Sequence, residues 1–430
     1  MNHTEIKEWK NLNNRSIIVK YNEKEYPGTF FIREERLILS IMMTTDIEEW
    51  RKAVNDIEGL PAYLIDNNRK ITLINCMHYG NSSSGVDPII NAQSDYWIDR
   101  ILLDYELENV EDAFINCISA EYDDICWITK ERIYSQDIIN DKIDINPVFK
   151  EYKLEDKDVV FGMLPSFAGN DYNMTISGNR GFNIKFHSNK TFDKALKYIY
   201  LIKNFLMVLG KRNIKVLNQE IIEGELHYRI IDCGGDKEYN KINIDLADHL
   251  NHRIGIKIED FDDFDVVLNN FEREYDRLMP LLELYYNVVK YKVPNLTRFV
   301  NAITMLEYCS REFDDANALN KTIQKHQGKM PKNGADFVDR VISLIENIND
   351  VYKLDLNDIE IISKNIKDAR TYYVHYEPSG KKLTDDQLFG YVYFIEDLII
   401  LNIYLIVGFD INKFANISYN EYFYNLDDLK

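Results

Sequence analysis

The chain has 430 residues and carries 51 lysines and arginines against 71 aspartates and glutamates, a formal net charge of −20. That balance excludes a protein coated along its length in nucleic acid, although a local basic surface can still serve one scissile phosphate. A hydrophobic fraction of 45% with 13% aromatic residues is ample for burial and the chain is too long for one core, so two domains are expected, or three.

The N-terminal stretch Met1 to Asn14 is polar and contains acids, unlike a signal peptide. The longest apolar run, Leu398 to Phe409, is interrupted by Asn402 and is shorter than a bilayer span. Cys76, Cys117, Cys126, Cys233 and Cys309 are odd in number and widely spaced, the usage of reduced core thiols. A soluble, cytoplasmic protein with no membrane partner is the expectation.

From Trp9 to about Phe186 the pattern is that of strands. Thr29–Ile32 and Leu37–Met42 flank the charged turn Arg33-Glu-Glu-Arg36, and Ala62–Ile65 and Ile71–Cys76 flank a second hairpin connection. Further strands are expected at Arg100–Tyr105, Ala113–Ser119, Val159–Leu164, Met174–Ser177 and Phe182–His187, with a flexible loop at Asn81-Ser-Ser-Ser-Gly85. One helix, Phe192–Leu209, follows the N-cap candidate Thr191. Strands at Lys215–Ile222 and Glu225–Asp232 and a turn at Cys233–Asp236 complete this half. Residues 1–258 therefore read as a mainly β, sandwich-like domain with one embedded helix. Asp245, Asp248, His249 and His252 have the spacing of ligands on one helical face, but no further Cys or His cluster accompanies them, so solvated polar positions are the plainer reading. Glu121-Tyr-Asp-Asp124 is most simply an acidic turn.

Beyond about Asp262 the period becomes helical, and residues 259–430 read as an all-α bundle, making the fold class α+β. Val267, Phe271, Tyr275 and Leu278 stripe a first helix that Pro280 kinks or divides. Asn295 is the expected N-cap of a second, with Leu296, Phe299, Ile303 and Leu306 on one face. A third, Ala335–Ile348, is striped by Val338, Val341, Ile345 and Ile348. The fourth, from about Asn357, buries Ile359, Ile362, Ile366, Ala369 and Tyr373. The fifth opens on the capping box Thr384-Asp-Asp-Gln387 and runs towards Gly408.

The fourth helix carries Arg370 and His375 just before Pro378. Five helical steps would set the His about 140° round from the Arg. Both reach one point only if the helix loosens near Pro378 or a second copy completes the site. A guanidinium holds phosphate by paired charged hydrogen bonds and an imidazole moves a proton near neutral pH, the two needs of metal-free RNA cleavage. A surface Arg and a helix-terminal His are the bland alternative. Ala316–Ala335 contains Lys321, Lys325, His326, Lys329 and Lys332 with no acid, either an RNA-binding field or a solvated loop, and Lys381 and Lys382 form a smaller basic patch.

Arg370-Thr-Tyr-Tyr-Val-His375-Tyr376, on the fourth of five helices, resembles the R-x4-6-H signature of the HEPN superfamily. The C-terminal region looks like the ApeA-like HEPN group of bacterial anti-phage abortive-infection proteins. The first half looks like the β-rich domain that precedes HEPN in that group, through Glu25-Tyr-Pro-Gly-Thr-Phe30, Lys70-Ile-Thr-Leu-Ile-Asn-Cys76 and Trp127-Ile-Thr129. The position after the Arg, often Asn, Asp or His in active members, is Thr371 here, a hydroxyl that can hydrogen-bond but bears no charge.

The resemblance implies an endoribonuclease without metal or other cofactor, attacking through the RNA's own 2′-hydroxyl, with transfer RNA a candidate substrate. It assigns catalysis to Arg370 and His375, with Thr371 and Tyr376 as supporting candidates. Tyr372, Tyr373 or Tyr376 could stack an unpaired base, although packing within the bundle is the commoner fate of such rings. It further implies a homodimer or larger assembly and a phage protein as trigger. Its rivals are a HEPN module that binds RNA, nucleotide or a partner without cutting, and a β half that senses a phage component and restrains the helices.

Overall fold

Ile17 and Val19 are buried while Ser16 points outward, the period-two signature of a strand with one wet face. The structure, a computed structural model, describes residues 10–21, 23–34, 36–46, 55, 57–65, 67–86, 89–107, 114–123, 125, 134–137, 142–145, 148–170, 173–211, 213–233, 256–290, 294–313, 324–325, 335–411 and 426–429. Two compact units share the chain, the first drawing its described residues from 1–125, 131–203 and 215–245, the second from 204–214 and 246–430.

The first unit opens with β1 (Ser16–Tyr21), β2 (Lys24–Arg33), β3 (Arg36–Asp46), β4 (Ile57–Leu64), β5 (Lys70–Val86) and β6 (Ile89–Leu103). They pair antiparallel in the order β6-β3-β2-β1-β4-β5, and β5 pairs back onto β6. The ring closes a six-stranded barrel around Ile17, Phe30, Leu39, Leu73, Tyr96 and Ile101. Closure removes the sheet edges that a sandwich leaves open. The sandwich expected from sequence gives way to a barrel because β5 and β6, with 17 and 15 residues, are long enough to join distant parts of the ring. The same pairing corrects the loop expected at Asn81–Gly85. Those residues lie in β5, where Asn81 pairs with Ser94 and Ser84 with Asn91, so ladder hydrogen bonds override a turn-like composition.

Eight further strands follow among the described residues, β7 (Ile115–Tyr122), β8 (Tyr134–Asp137), β9 (Lys142–Ile145), β10 (Val148–Lys153), β11 (Lys157–Asn170), β12 (Asn173–Lys190) and, after helix α1 (Phe192–Gly210), β13 (Val216–Glu223) and β14 (Leu226–Asp232). β14 joins the barrel at β6 through Ile230 opposite Leu102, and the sheet continues β13-β7-β12-β11-β10. Tyr122 donates its hydroxyl to the Ile199 carbonyl of α1 at 2.9 Å. The acidic turn proves structural: Glu121 accepts from the Asn218 amide and Asp123 from the Lys215 N–H, each at 2.5 Å. Asp124, Cys126, the Trp127–Thr129 fragment, residues 234–236 and the Asp245–His252 cluster lie outside the described residues. Cys76 and Cys233 are buried and free.

In the second unit α2 (Phe264–Lys290) runs unbroken past Pro280, so the proline does not divide it. α3 (Asn295–Glu312) is entered from Pro294, whose extended backbone (ψ 146°) makes the turn without a side-chain cap; Asn295 is the first helical residue and not the cap. Leu296, in that first turn, is 47% exposed, whereas Phe299, Ile303 and Leu306 are buried as their spacing predicts. α4 (Phe337–Asn347) starts at a capping box of Asp336 and Asp339. α5 (Leu356–Tyr373) starts at the Asp355 cap and buries Ile359, Ile362, Ile366 and Ala369. α6 (Asp385–Ile406) begins at the expected Thr384–Gln387 box, and Gly408 takes φ 85° just beyond it.

α6 is long and apolar enough to cross a membrane, but 72% of that stretch is buried inside the protein, so it serves as the core helix of its unit. It also carries Glu396 and Asp397 into that core. The Arg298 guanidinium grips Glu396 with two bonds of 2.7 and 2.5 Å and lies 4.3 Å from the Tyr393 ring; Lys211 pairs with Asp397. Burial pushes the Glu396 carboxyl up and the Lys211 ammonium down, each opposed by its partner. Removing one member of such a pair strands a desolvated charge, whereas replacing both with apolar groups does not. Glu396→Ala is expected to cost about 3 kcal/mol in denaturant unfolding, and Arg298→Met with Glu396→Leu to recover most of it.

Candidate active site on the fourth helix of the bundle

The buried stripe of α5 ends at Ala369, which is fully buried, and Arg370 follows at the edge of that face with its side chain 21% exposed. It is held from two other helices. Its Nε donates to Glu307 of α3, and its guanidinium carbon lies 4.8 Å from the centre of the Phe337 ring at the start of α4. Glu307 also faces Arg311 one turn on, at 3.9 Å. Guanidinium stacking on a ring and a carboxylate on Nε together restrict rotation about the end of the side chain. Because Glu307 takes the Nε position, the terminal nitrogens remain to meet an anion, and among the described residues they make no other ion pair.

The helix does loosen before Pro378. Val374 and His375 both direct their N–H groups to the Arg370 carbonyl, at 2.8 and 3.4 Å, and the Glu377 N–H reaches Thr371 at 3.1 Å. Tyr376 takes φ 58°, a left-handed conformation that costs a side-chain-bearing residue about 1–2 kcal/mol. Its ring is 86% exposed, so no packing offsets that strain. His375 is exposed, and no hydrogen bond or ion pair joins its side chain to that of Arg370 among the described residues. The two are thus tied through backbone, the His375 N–H meeting the Arg370 carbonyl.

The return segment is seated by close backbone approach. The Lys381 N–H bonds the Asp368 carbonyl at 3.0 Å, and a Cβ on Gly380 would strike the backbone of Tyr372 and Asp368. Only glycine fits there. Tyr373 closes the turn by donating to the Leu383 carbonyl and accepting from its N–H, at 3.1 and 3.0 Å, so its hydroxyl is committed to structure. The Thr371 hydroxyl donates to the Lys367 carbonyl at 3.0 Å, leaving its oxygen only as an acceptor. The Lys381 ammonium bonds the Asn365 side chain at 3.1 Å, while Lys382 is exposed.

Of the expected basic loop, Lys325 is exposed but paired with Glu346 at 2.5 Å, which offsets its charge. Lys321, His326, Lys329 and Lys332 lie outside the described residues. Glu307 and Phe337 are the residues that sequence reasoning misses. Glu307 sits one step beyond the stripe residue Leu306, a position that looks like ordinary helix surface, and its partner is 63 residues away. No group of three or more His, Cys, Asp or Glu is arranged to hold a metal among the described residues.

ApeA N-terminal domain 1 matches residues 7–271, and the Apea-like HEPN domain matches residues 299–413, which includes Arg370, His375 and Glu307. No curated protein matches. Among solved structures, K. pneumonia MrkH in its apo state is 11% identical, covering 46% of this chain and 88% of MrkH at a TM-score of 0.14. The MrkH–c-di-GMP complex is 10% identical, covering 48% and 95% at the same TM-score; a likeness that slight says nothing of this fold. The two domain matches follow one another along most of the sequence, and the chain belongs to the ApeA family, with an ApeA N-terminal domain followed by an Apea-like HEPN domain.

Proposed function

We propose that the chain, whose HEPN domain supports a nuclease or RNA-related role, is a metal-independent endoribonuclease that cleaves cellular RNA, transfer RNA among the candidates, in anti-phage defence by abortive infection. The observation that carries this reading is the Arg370 guanidinium, fixed by Glu307 and Phe337 with its terminal nitrogens in no other ion pair among the described residues, one loosened helical turn before the exposed His375.

In the proposed reaction the 2′-oxygen attacks the adjacent phosphorus and the bond to the 5′-oxygen breaks, giving a 2′,3′-cyclic phosphate and a 5′-hydroxyl. The 2′-hydroxyl loses its proton to a base, and the leaving oxygen gains one from an acid. Arg370 would stabilise the charge that grows on the phosphoryl oxygens. One imidazole does not hold both proton-transfer positions at once. A two-fold dimer supplying two copies of His375 and Arg370 accounts for both. Tyr376, exposed and unpacked, is the ring best placed to meet a base.

A second reading, a HEPN module that binds RNA or a partner without cutting, draws on the same ion pair, since Glu307 neutralises Arg370 in the isolated chain.

Total cellular RNA incubated with the wild-type chain in excess chelator is expected to yield fragments with cyclic phosphate ends, and His375→Ala to yield none. Fragments from both proteins would remove His375 from the site, and fragments from neither would favour the binding module. Glu307→Ala is expected to lower kcat at least tenfold by freeing Arg370. Glu307→Gln, which keeps an acceptor for Nε, should stay within about threefold of wild type. Equal losses in the two variants, tracking their thermal unfolding, would make Glu307 a fold residue only.

A further inference from the structure

The outer face of the barrel carries a feature that the HEPN site does not use. Cross-strand register places Phe31, Ile38, Trp97 and Met77 opposite one another in a row across β2, β3, β6 and β5. These residues alternate with Phe30, Leu37, Leu39, Tyr96 and Cys76, which fill the barrel, so the row faces outward. Ile38 is covered by its neighbours, but Met77 is 42% exposed and Phe31 and Trp97 are half-buried. Tyr79 lies against Trp97 with ring centroids 4.7 Å apart at 30°.

Two arginines flank these rings. Arg33 and Arg36 form the closing pair of the β2–β3 hairpin, both exposed. The Arg36 guanidinium carbon is 4.6 Å from the Trp97 ring centre, and that of Arg33 is 5.6 Å from Tyr79. Among the described residues, Arg33 pairs with the exposed Glu34 at 4.0 Å. On the other side of the row lie Thr29, Ser40 and Asp95. A guanidinium laid over a ring keeps its in-plane N–H groups free for an anion. Planar rings beside preoriented cations on a sheet surface are the chemistry that single-stranded nucleic acid uses, bases on the rings and phosphates on the arginines. An acidic protein would be met by the two cations alone, whereas RNA uses rings and cations together.

We propose that Arg33, Arg36, Tyr79 and Trp97 form a binding surface for single-stranded RNA on the ApeA N-terminal domain, the choice of RNA resting on the ribonuclease reading above. The surface engages the strand by stacking and by phosphate contact, without base-specific readout.

The test uses the full chain carrying His375→Ala, so that nothing is cut, and fluorescence anisotropy with a fluorescein-labelled single-stranded RNA of mixed sequence. Arg33→Ala with Arg36→Ala touches only exposed side chains. It should weaken binding at least fivefold and make the log–log salt dependence shallower by about 1.4, the loss of two single-strand phosphate contacts. Trp97→Leu should weaken binding at least fivefold with the salt slope unchanged. Unchanged affinity and slope in the arginine pair, or no RNA binding by the parent chain, would overturn the proposal. So would unchanged RNA affinity combined with loss of a protein that co-purifies with the parent, which would assign the face to a protein. RNA cutting by otherwise wild-type chains that is indifferent to Arg33 and Arg36, with RNA binding also unaffected, removes this surface and leaves the nuclease intact. Weakened binding by the arginine pair in a protein that never cuts removes the nuclease and leaves the surface.

Discussion

The helical unit depends on carboxylates placed where an apolar helix would be cheaper. α6 is the most buried element of its bundle, yet Glu396 and Asp397 sit side by side on it. Each is tolerable only because a cation arrives from another part of the unit, Arg298 from α3 and Lys211 from the segment after α1. An unpaired carboxylate would have to be neutralised or hydrated, and neither suits a packed core. The Arg298–Glu396 pair sets α3 in register with α6, and the Lys211–Asp397 pair holds the segment after α1 to the same helix. Asn402 adds a third polar constraint, donating to the Leu344 carbonyl of α4 at 3.2 Å and to Leu398 at 2.7 Å.

The candidate site inherits its geometry from that registration. With Arg298 committed to Glu396 at one end of α3, Glu307 near the other end meets Arg370 of α5, and the first turn of α4 supplies the Phe337 ring. Arg370 is thus held from two helices besides its own, while His375 lies beyond the last regular turn and, among the described residues, is held by backbone alone. The proposed reaction would ask for a rigid phosphate-binding cation and an exposed proton carrier, two different mechanical requirements placed at the end of one helix. The left-handed Tyr376 and the close approach of Gly380 are what turning the chain at that point costs.

Period and capping made most of the helical half legible. Ile359, Ile362, Ile366 and Ala369 are buried as their spacing requires, and Thr384 caps α6 with Gln387 as the residue types dictate. The expected loosening before Pro378 is present because the residue preceding proline disfavours helical backbone. What sequence hid were relations between distant segments. Nothing local marks Glu307 as the partner of Arg370, and an Asn before a helix looks like a cap until the preceding Pro294 makes the turn itself. In the β half, a Ser- and Gly-rich stretch looked like a loop because composition is blind to the 14 cross-strand pairs that hold β5 along β6. Barrel closure, and the row of Phe31, Trp97 and Met77 on its outside, depend on the same pairing.

The central claim is that the RNA's own 2′-hydroxyl is the nucleophile, served by Arg370 and His375. The most direct measurement takes a short RNA containing the mapped cleavage position and compares it with the same strand bearing a single 2′-deoxy nucleotide there, in excess chelator with the wild-type chain. The account predicts that the all-ribose strand is cut to a 2′,3′-cyclic phosphate and that the deoxy strand stays whole at that position. Cleavage of the deoxy strand at the same phosphate would contradict it, because the attacking oxygen would then have to be water.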